Sequence, residues 1–181
     1  MRFTHDRYIE ELGTLYLIHY QLAKNQVEAT SWYFFFNEFS MSEFTKEDFV
    51  QNLQNYVSMH GESVAIRSLN DDFACLLNTY LSRHKTSQQR VSPENNISCP
   101  LGELGLVDIL DKRKHTYRKV TPTASLLNPW IIYAVLIEQA GRRRQISLNE
   151  LLTAQCNIGR IFNLDAIAML DVLHEVELRG L

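Results

Sequence analysis

Cysteine is scarce in this chain. Cys75, Cys99 and Cys156 are odd in number, widely spaced and form no C-x-x-C pair, which argues against both a disulfide framework and a zinc finger. A reducing cytoplasm is the compartment this favours. Long apolar runs are missing as well. The longest, "WIIYAVLI" from Trp130 to Ile137, is far short of the roughly 20 residues that cross a bilayer. The opening "MRFTHDRYIEE" has no signal-peptide stretch, so a soluble, non-exported protein without a membrane partner is expected. Catalytic signatures are absent too: there is no H-E-x-x-H, Walker loop or G-x-G-x-x-G, the Ser and His residues form no nucleophile motif, and His5-Asp6 is a lone dipeptide. The chain therefore reads as a non-enzyme with no catalytic residue, metal site or cofactor.

What is present is an ordinary globular composition, 45% hydrophobic and 22% charged over 181 residues. That is enough for one compact domain or two small ones, and a division into 1–123 and 124–181 is expected. The net charge of −3 conceals an uneven distribution. Residues 1–60 hold 4 Lys/Arg against 8 Asp/Glu, residues 61–123 hold 9 against 7, and residues 124–181 hold 5 against 6. The basic part is the middle.

Helical spacing runs through Asp6–Ala23 (Ile9, Leu12, Tyr16, His19, Tyr20, Ala23) and Val27–Phe39. The aromatics of "SWYFFFNEF" read either as a nucleobase platform or as core, and core is preferred because five in succession leave few facing water. Thr45 and Asp48 form a capping box, flanked by Phe44 and Phe49 at staple positions, and Gly61 stops the helix that follows. Ser68 and Asp71 predict a second box. The stripe Leu69, Phe73, Leu76, Leu77, Tyr80 and Leu81 then leaves Asp71, Ala74, Cys75, Asn78 and Ser82 on the opposite face.

The stretch 86–98 is a polar loop, and 100–104 is a short helical turn. Leu106–Leu110 and Thr116–Val120 make a β-hairpin around "DKRKH". Helices resume at Pro129, run to Ala140 and stop at Gly141. A third box is expected at Ser147 and Glu150, with Ile146 and Leu151 as the staple. Asn163 is expected to cap a last helix from Leu164 to about Leu178.

Helix, short strand, helix, turn, helix and hairpin is the order of a winged helix. The expected fold is mainly α with a small β-hairpin: a winged helix-turn-helix followed by a second helical, helix-turn-helix-like unit. Together, "LGTLYLIHYQLA", "ATSWYFFFNEF", "EFTKEDFV", "DDFACLLNTY", "CPLGELGL" and "GRIFNLD" resemble the bacterial family called domain of unknown function 4007 over nearly the whole chain. The resemblance implies a member shortened at both ends. It also implies DNA-linked work, since such proteins tend to be encoded in DNA-modification and phage-defence loci, near a sulfur-transferring, phosphoadenosine-phosphosulfate-reductase-like protein.

The hairpin carries Lys112, Arg113, Lys114, Arg118 and Lys119, five cations suited to DNA phosphates. The alternative is a solvated tip with Lys blunting a strand edge. Arg67, Ser68, Asn70, Asp71 and Asn78 would form the recognition-helix face, which is poor in the Arg, Lys, Asn and Gln that read base edges. Asp71 there has a structural explanation in the first-turn helix dipole. Arg142, Arg143 and Arg144, with Arg160 approaching through the fold, make a second basic cluster that the dipole of the preceding helix explains at least as well.

Duplex DNA, held by phosphate contacts with little base specificity, is the expected partner. A protein adaptor of a modification or defence system without DNA binding is the rival, and a homodimeric transcription regulator is a third reading.

Overall fold

The structure, a computed structural model, describes residues 11–81 and 99–181. The expected start of the first helix at Asp6, the His5-Asp6 dipeptide, Ser82 and the loop 86–98 lie outside the described residues.

The chain is mainly helical with one small antiparallel sheet. Helix α1 is Leu12–Ala23, α2 is Thr30–Tyr33, α3 is Lys46–Met59 and α4 is Ile66–Tyr80. The strands are β1 (Glu43–Phe44), β2 (Val107–Asp111) and β3 (Thr116–Lys119). After them come α5 (Pro129–Ala140), α6 (Leu148–Thr153), α7 (Ile158–Ile161) and α8 (Ala166–Leu178). The hairpin is thus part of a three-stranded sheet of order β1-β3-β2. Phe44 pairs with Tyr117, Asp108 pairs with Arg118, and the register slips between Ile109 and Asp111.

The Thr45 box forms as expected. Thr45 Oγ1 accepts from the Asp48 amide at 3.2 Å while Asp48 Oδ2 accepts from the Thr45 amide at 2.8 Å. Gly61 takes φ 81°, letting the Glu62 amide reach Val57 O at 3.0 Å and close the end of α3.

Three expected caps are corrected. Helix α4 begins at Ile66 with Ala65 in the cap position and no side-chain cap, so Ser68 lies inside the first turn and Asp71 in the second. Asp71 is therefore too far along for the first-turn dipole argument, whose effect fades within one turn. Ser147 does accept from the Glu150 amide at 3.1 Å, but the Glu150 carboxylate goes to Arg143 Nη1 at 2.6 Å, so only half the box exists. Asp165, not Asn163, caps α8, accepting from the Ala168 amide at 2.8 Å. Asn163 instead takes φ 53° and turns its amide nitrogen to Leu106 O at 3.0 Å and Val120 O at 3.3 Å, tying both hairpin bases to the C-terminal helices.

The aromatic run is core. Tyr33, Phe34, Phe35 and Phe36 are all buried, and the chain widens into a π-helical turn over Phe34–Glu38 that extends α2. A turn with i→i+5 bonds is wider than an α turn, and the neighbouring rings along it find partners on both sides. Phe35, for example, meets Phe36, Phe44 and Phe49.

Residues from both expected divisions, 1–123 and 124–181, enter one apolar cluster running from Leu15 to Val176. Polar ties thread it. Asn37, buried, donates to Ala23 O and Tyr33 O and accepts from the Cys156 amide at 2.6 Å. His19, fully buried, has Nε2 at 2.7 Å from Ile161 O and Nδ1 at 2.7 Å from the Tyr80 hydroxyl. A carbonyl can only accept, so Nε2 carries the proton and Nδ1 accepts from Tyr80. Burial pushes the imidazole down from 6.5 to about 4.

A depressed folded pKa means the unfolded chain binds the extra proton between pH 6.5 and 4, so this contribution to stability is full above 6.5 and lost on acidification towards 4. It amounts to about 3 kcal/mol at most. Urea unfolding at pH 7 and pH 4.5 should show wild type losing more stability than His19→Gln, which keeps a donor and an acceptor but cannot titrate. Equal losses would show that His19 is not held neutral.

Candidate nucleic-acid interface

The hairpin tip is a turn over residues 112–115 built by its own aspartate. Asp111 Oδ1 accepts from the amides of Arg113 at 2.8 Å and Lys114 at 3.2 Å, and His115 takes φ 49°. The carboxylate is thereby turned onto the backbone. Lys112, Arg113 and Lys114 are exposed, and no ion pair engages them among the described residues.

The other two hairpin cations behave differently. Arg118, exposed on the central strand, pairs with Asp108 at 3.0 Å. Lys119 points inward. Its Nζ donates to Phe35 O and Phe39 O, both at 2.6 Å, and lies 4.6 Å from the centre of the Phe35 ring. Burial, and then the nearby Arg160 guanidinium, push it down from 10.5 to about 7. As an ammonium it spends two of its three hydrogens on carbonyls of the π-helical turn and of Phe39, the residue that follows it.

On α4 the face opposite the core stripe is exposed at Arg67, Ser68, Asp71, Ala74, Cys75 and Asn78, as the helical spacing predicts. Asn70 is occupied by its own helix, its amide on Ile66 O at 2.7 Å. Asp72 is bound by the Ser31 hydroxyl at 2.5 Å, so of the two adjacent aspartates only Asp71 faces outward. Arg83, His84 and Lys85 lie outside the described residues.

The second basic cluster is split. Arg143 closes α5, donating to Gln139 O at 2.7 Å and Ala140 O at 3.3 Å besides its Glu150 pair. This is the helix-end role that the dipole favours. Arg142 and Arg144 are exposed. Arg160 sets Nε on Thr153 O at 3.2 Å and lines a cleft of about 410 Å³ together with Lys119, Ser40, Ser42, Thr121 and Asp165. No local signal could have revealed that grouping, because its members come from four separate stretches of chain.

Among the described residues no three His, Cys, Asp or Glu side chains gather as a metal site, and no helix is long and apolar enough to cross a membrane.

The family described as "Protein of unknown function (DUF4007)" matches residues 2–180. Two solved structures are similar in fold and sequence. A magnesium-bound crystal structure of SspB superposes with a TM-score of 0.80 at 28% identity, and a second SspB crystal structure with 0.79 at 27%. Each comparison covers 96% of this chain and 52% of the other, so the chain spans about half the length of the SspB chains. No curated protein matches this chain.

The inward placement of Lys119 has a direct readout. Its Cε and Nζ resonances should titrate near pH 7 rather than near 10.5, and Arg160→Gln should move that titration upward by removing the neighbouring positive charge. A Lys119 that titrates like a surface lysine would contradict the buried geometry.

Proposed function

The chain belongs to the DUF4007 family over nearly its whole length, and on that basis we propose that it is a winged-helix, duplex-DNA-binding accessory protein without catalytic activity, working in the cytoplasm as part of a DNA-modification or phage-defence system. The observation that carries the proposal is the hairpin tip. Three successive cations face water there while the adjacent carboxylate is held by the backbone. Such a tip can lie along a phosphate backbone and supply salt-dependent, sequence-independent affinity. In this reading β1, α3, α4 and the β2–β3 hairpin are the winged frame.

Helix α4 adds little base reading. Of its candidate residues, Asn70 is turned onto Ile66 O and Asp71 brings negative charge towards any phosphate. Arg67 and Asn78 are of the type that bonds to base edges. Lys119 is withdrawn from the hairpin's outward phosphate set, since it points inward and two of its three ammonium hydrogens go to Phe35 O and Phe39 O. Arg118 contributes only by leaving Asp108.

A second reading, a protein-docking adaptor, is favoured by the exposed apolar side chains Trp130 and Ile137 on α5 and Ile167 and Leu170 on α8, two helices packed on each other. Large exposed apolar surface is characteristic of protein contacts.

Binding of a labelled random-sequence duplex, followed across a salt series, separates the two. Wild type should bind and weaken steeply with salt. The combined variant Lys112→Glu, Arg113→Glu, Lys114→Glu should lose affinity for all sequences alike. Replacing the three residues by Gln should lower the log–log salt slope by about 3, at about 0.9 per phosphate contact. Equal affinity of wild type and the Glu variant removes the hairpin from the interface, and absence of binding by wild type leaves the adaptor reading.

A further inference from the structure

The cleft holding Lys119 and Arg160 has an unbalanced charge. Lys119 reaches it from the end of β3 and Arg160 from α7, and among the described residues neither forms an ion pair with a carboxylate. Asp165 is the acidic residue in the lining, and its Oδ1 is committed to the Ala168 amide as the cap of α8. Burial and Arg160 both disfavour the Lys119 charge. Two like charges brought together at a partly dehydrated wall cost free energy that an anion between them would offset.

Donors for such an anion are available in the lining. Lys119 has one N–H left after its bonds to Phe35 O and Phe39 O, and Arg160, with Nε on Thr153 O, has its terminal fork left over. Ser40 and Ser42 line the same cleft. Arg160 is held in position because α7 packs hard on α6: a Cβ at Gly159 would stand 2.5 Å from Leu152 Cα and 2.6 Å from its carbonyl oxygen. The volume, about 410 Å³, lies within the range of small-ligand sites.

We propose that this cleft is a phosphoryl-oxyanion site, in which the Arg160 guanidinium fork and the remaining Lys119 N–H hold the anion, with Ser40 and Ser42 as additional donors. Guanidinium and ammonium donors to phosphoryl oxygens are charge-assisted, and the planar fork selects a group with two coplanar oxygens. The phosphoryl group belongs either to a free phosphate ester or to a nucleic-acid backbone. The site stands apart from the hairpin-tip reading, because it shares none of Lys112, Arg113 or Lys114.

Amide NMR titration tests it, first with inorganic phosphate, then with deoxyadenosine monophosphate, then with a duplex. With inorganic phosphate and with the mononucleotide, saturable shifts are expected at Ser42, Lys119, Arg160 and Asn163 in wild type and equally in the Lys112→Glu, Arg113→Glu, Lys114→Glu protein, whose hairpin tip these small ligands do not need. In Arg160→Gln, whose remaining spectrum reports an intact fold, affinity should fall by about tenfold or more, the loss expected for one charged hydrogen-bonding partner. Arg160→Lys should retain part of it.

Competition identifies the source. A duplex that displaces bound phosphate assigns the group to a nucleic-acid backbone. Displacement by the mononucleotide but not by the duplex assigns it to a free ester. Non-saturating shifts in wild type, or equal affinity in Arg160→Gln, overturn the proposal.

Discussion

One buried imidazole joins three parts of the chain. His19 leaves α1 and meets the Tyr80 hydroxyl at the end of α4 on one side and Ile161 O at the end of α7 on the other, with the rings of Phe36 and Phe162 packed against it. In a dry site both nitrogens must be satisfied, because an unpaired buried polar group costs about 1–3 kcal/mol. Here α4 supplies the donor, the Tyr80 hydroxyl, and α7 the acceptor, Ile161 O. The same α7 leads into Asn163, which grips the hairpin base through Leu106 O and Val120 O. Held neutral, the imidazole adds no charge to the aromatic core around it.

The same logic sorts the cations. Arg143 and Lys119 are consumed by carbonyl oxygens, the first at the end of α5 and the second at the π-helical turn. Arg118 is balanced by Asp108 in the facing strand. What remains outward on the hairpin is its tip, where Asp111 has been turned to the backbone. Surface charge here is therefore a remainder: it is what the fold does not use to satisfy its own acceptors. A run of five basic residues on a hairpin becomes three at the tip, one paired on the sheet and one inside.

The aromatic segment shows how packing overrides a periodic template. Consecutive Tyr and Phe side chains cannot all enter one side of an α-helix, and here the backbone widens over Phe34–Glu38 so that Phe34, Phe35 and Phe36 are all buried. Phe35 O and Phe39 O meet the Lys119 ammonium, which connects the aromatic core to the sheet and brings a second cation to the wall where Arg160 stands.

Features that depend on neighbours a few residues apart were legible in the sequence: the Thr45–Asp48 box, the stop at Gly61, the core stripe of α4, the hairpin and its exposed tip, and the mainly helical class with its small sheet. Each is decided within about one turn of helix or one pair of strands, where the residues that interact are adjacent in the text. Only the tertiary structure decided that Asn163 grips the hairpin rather than capping a helix, that Glu150 answers Arg143 rather than the Ser147 amide, and that Lys119 and Arg160 share a cleft. Lys119 and Arg118 stand side by side in the sequence with the same charge. Alternation along a strand sends them to opposite faces, and the acceptor that claims Lys119 is a backbone carbonyl 84 residues away, which carries no side-chain identity for a sequence to display.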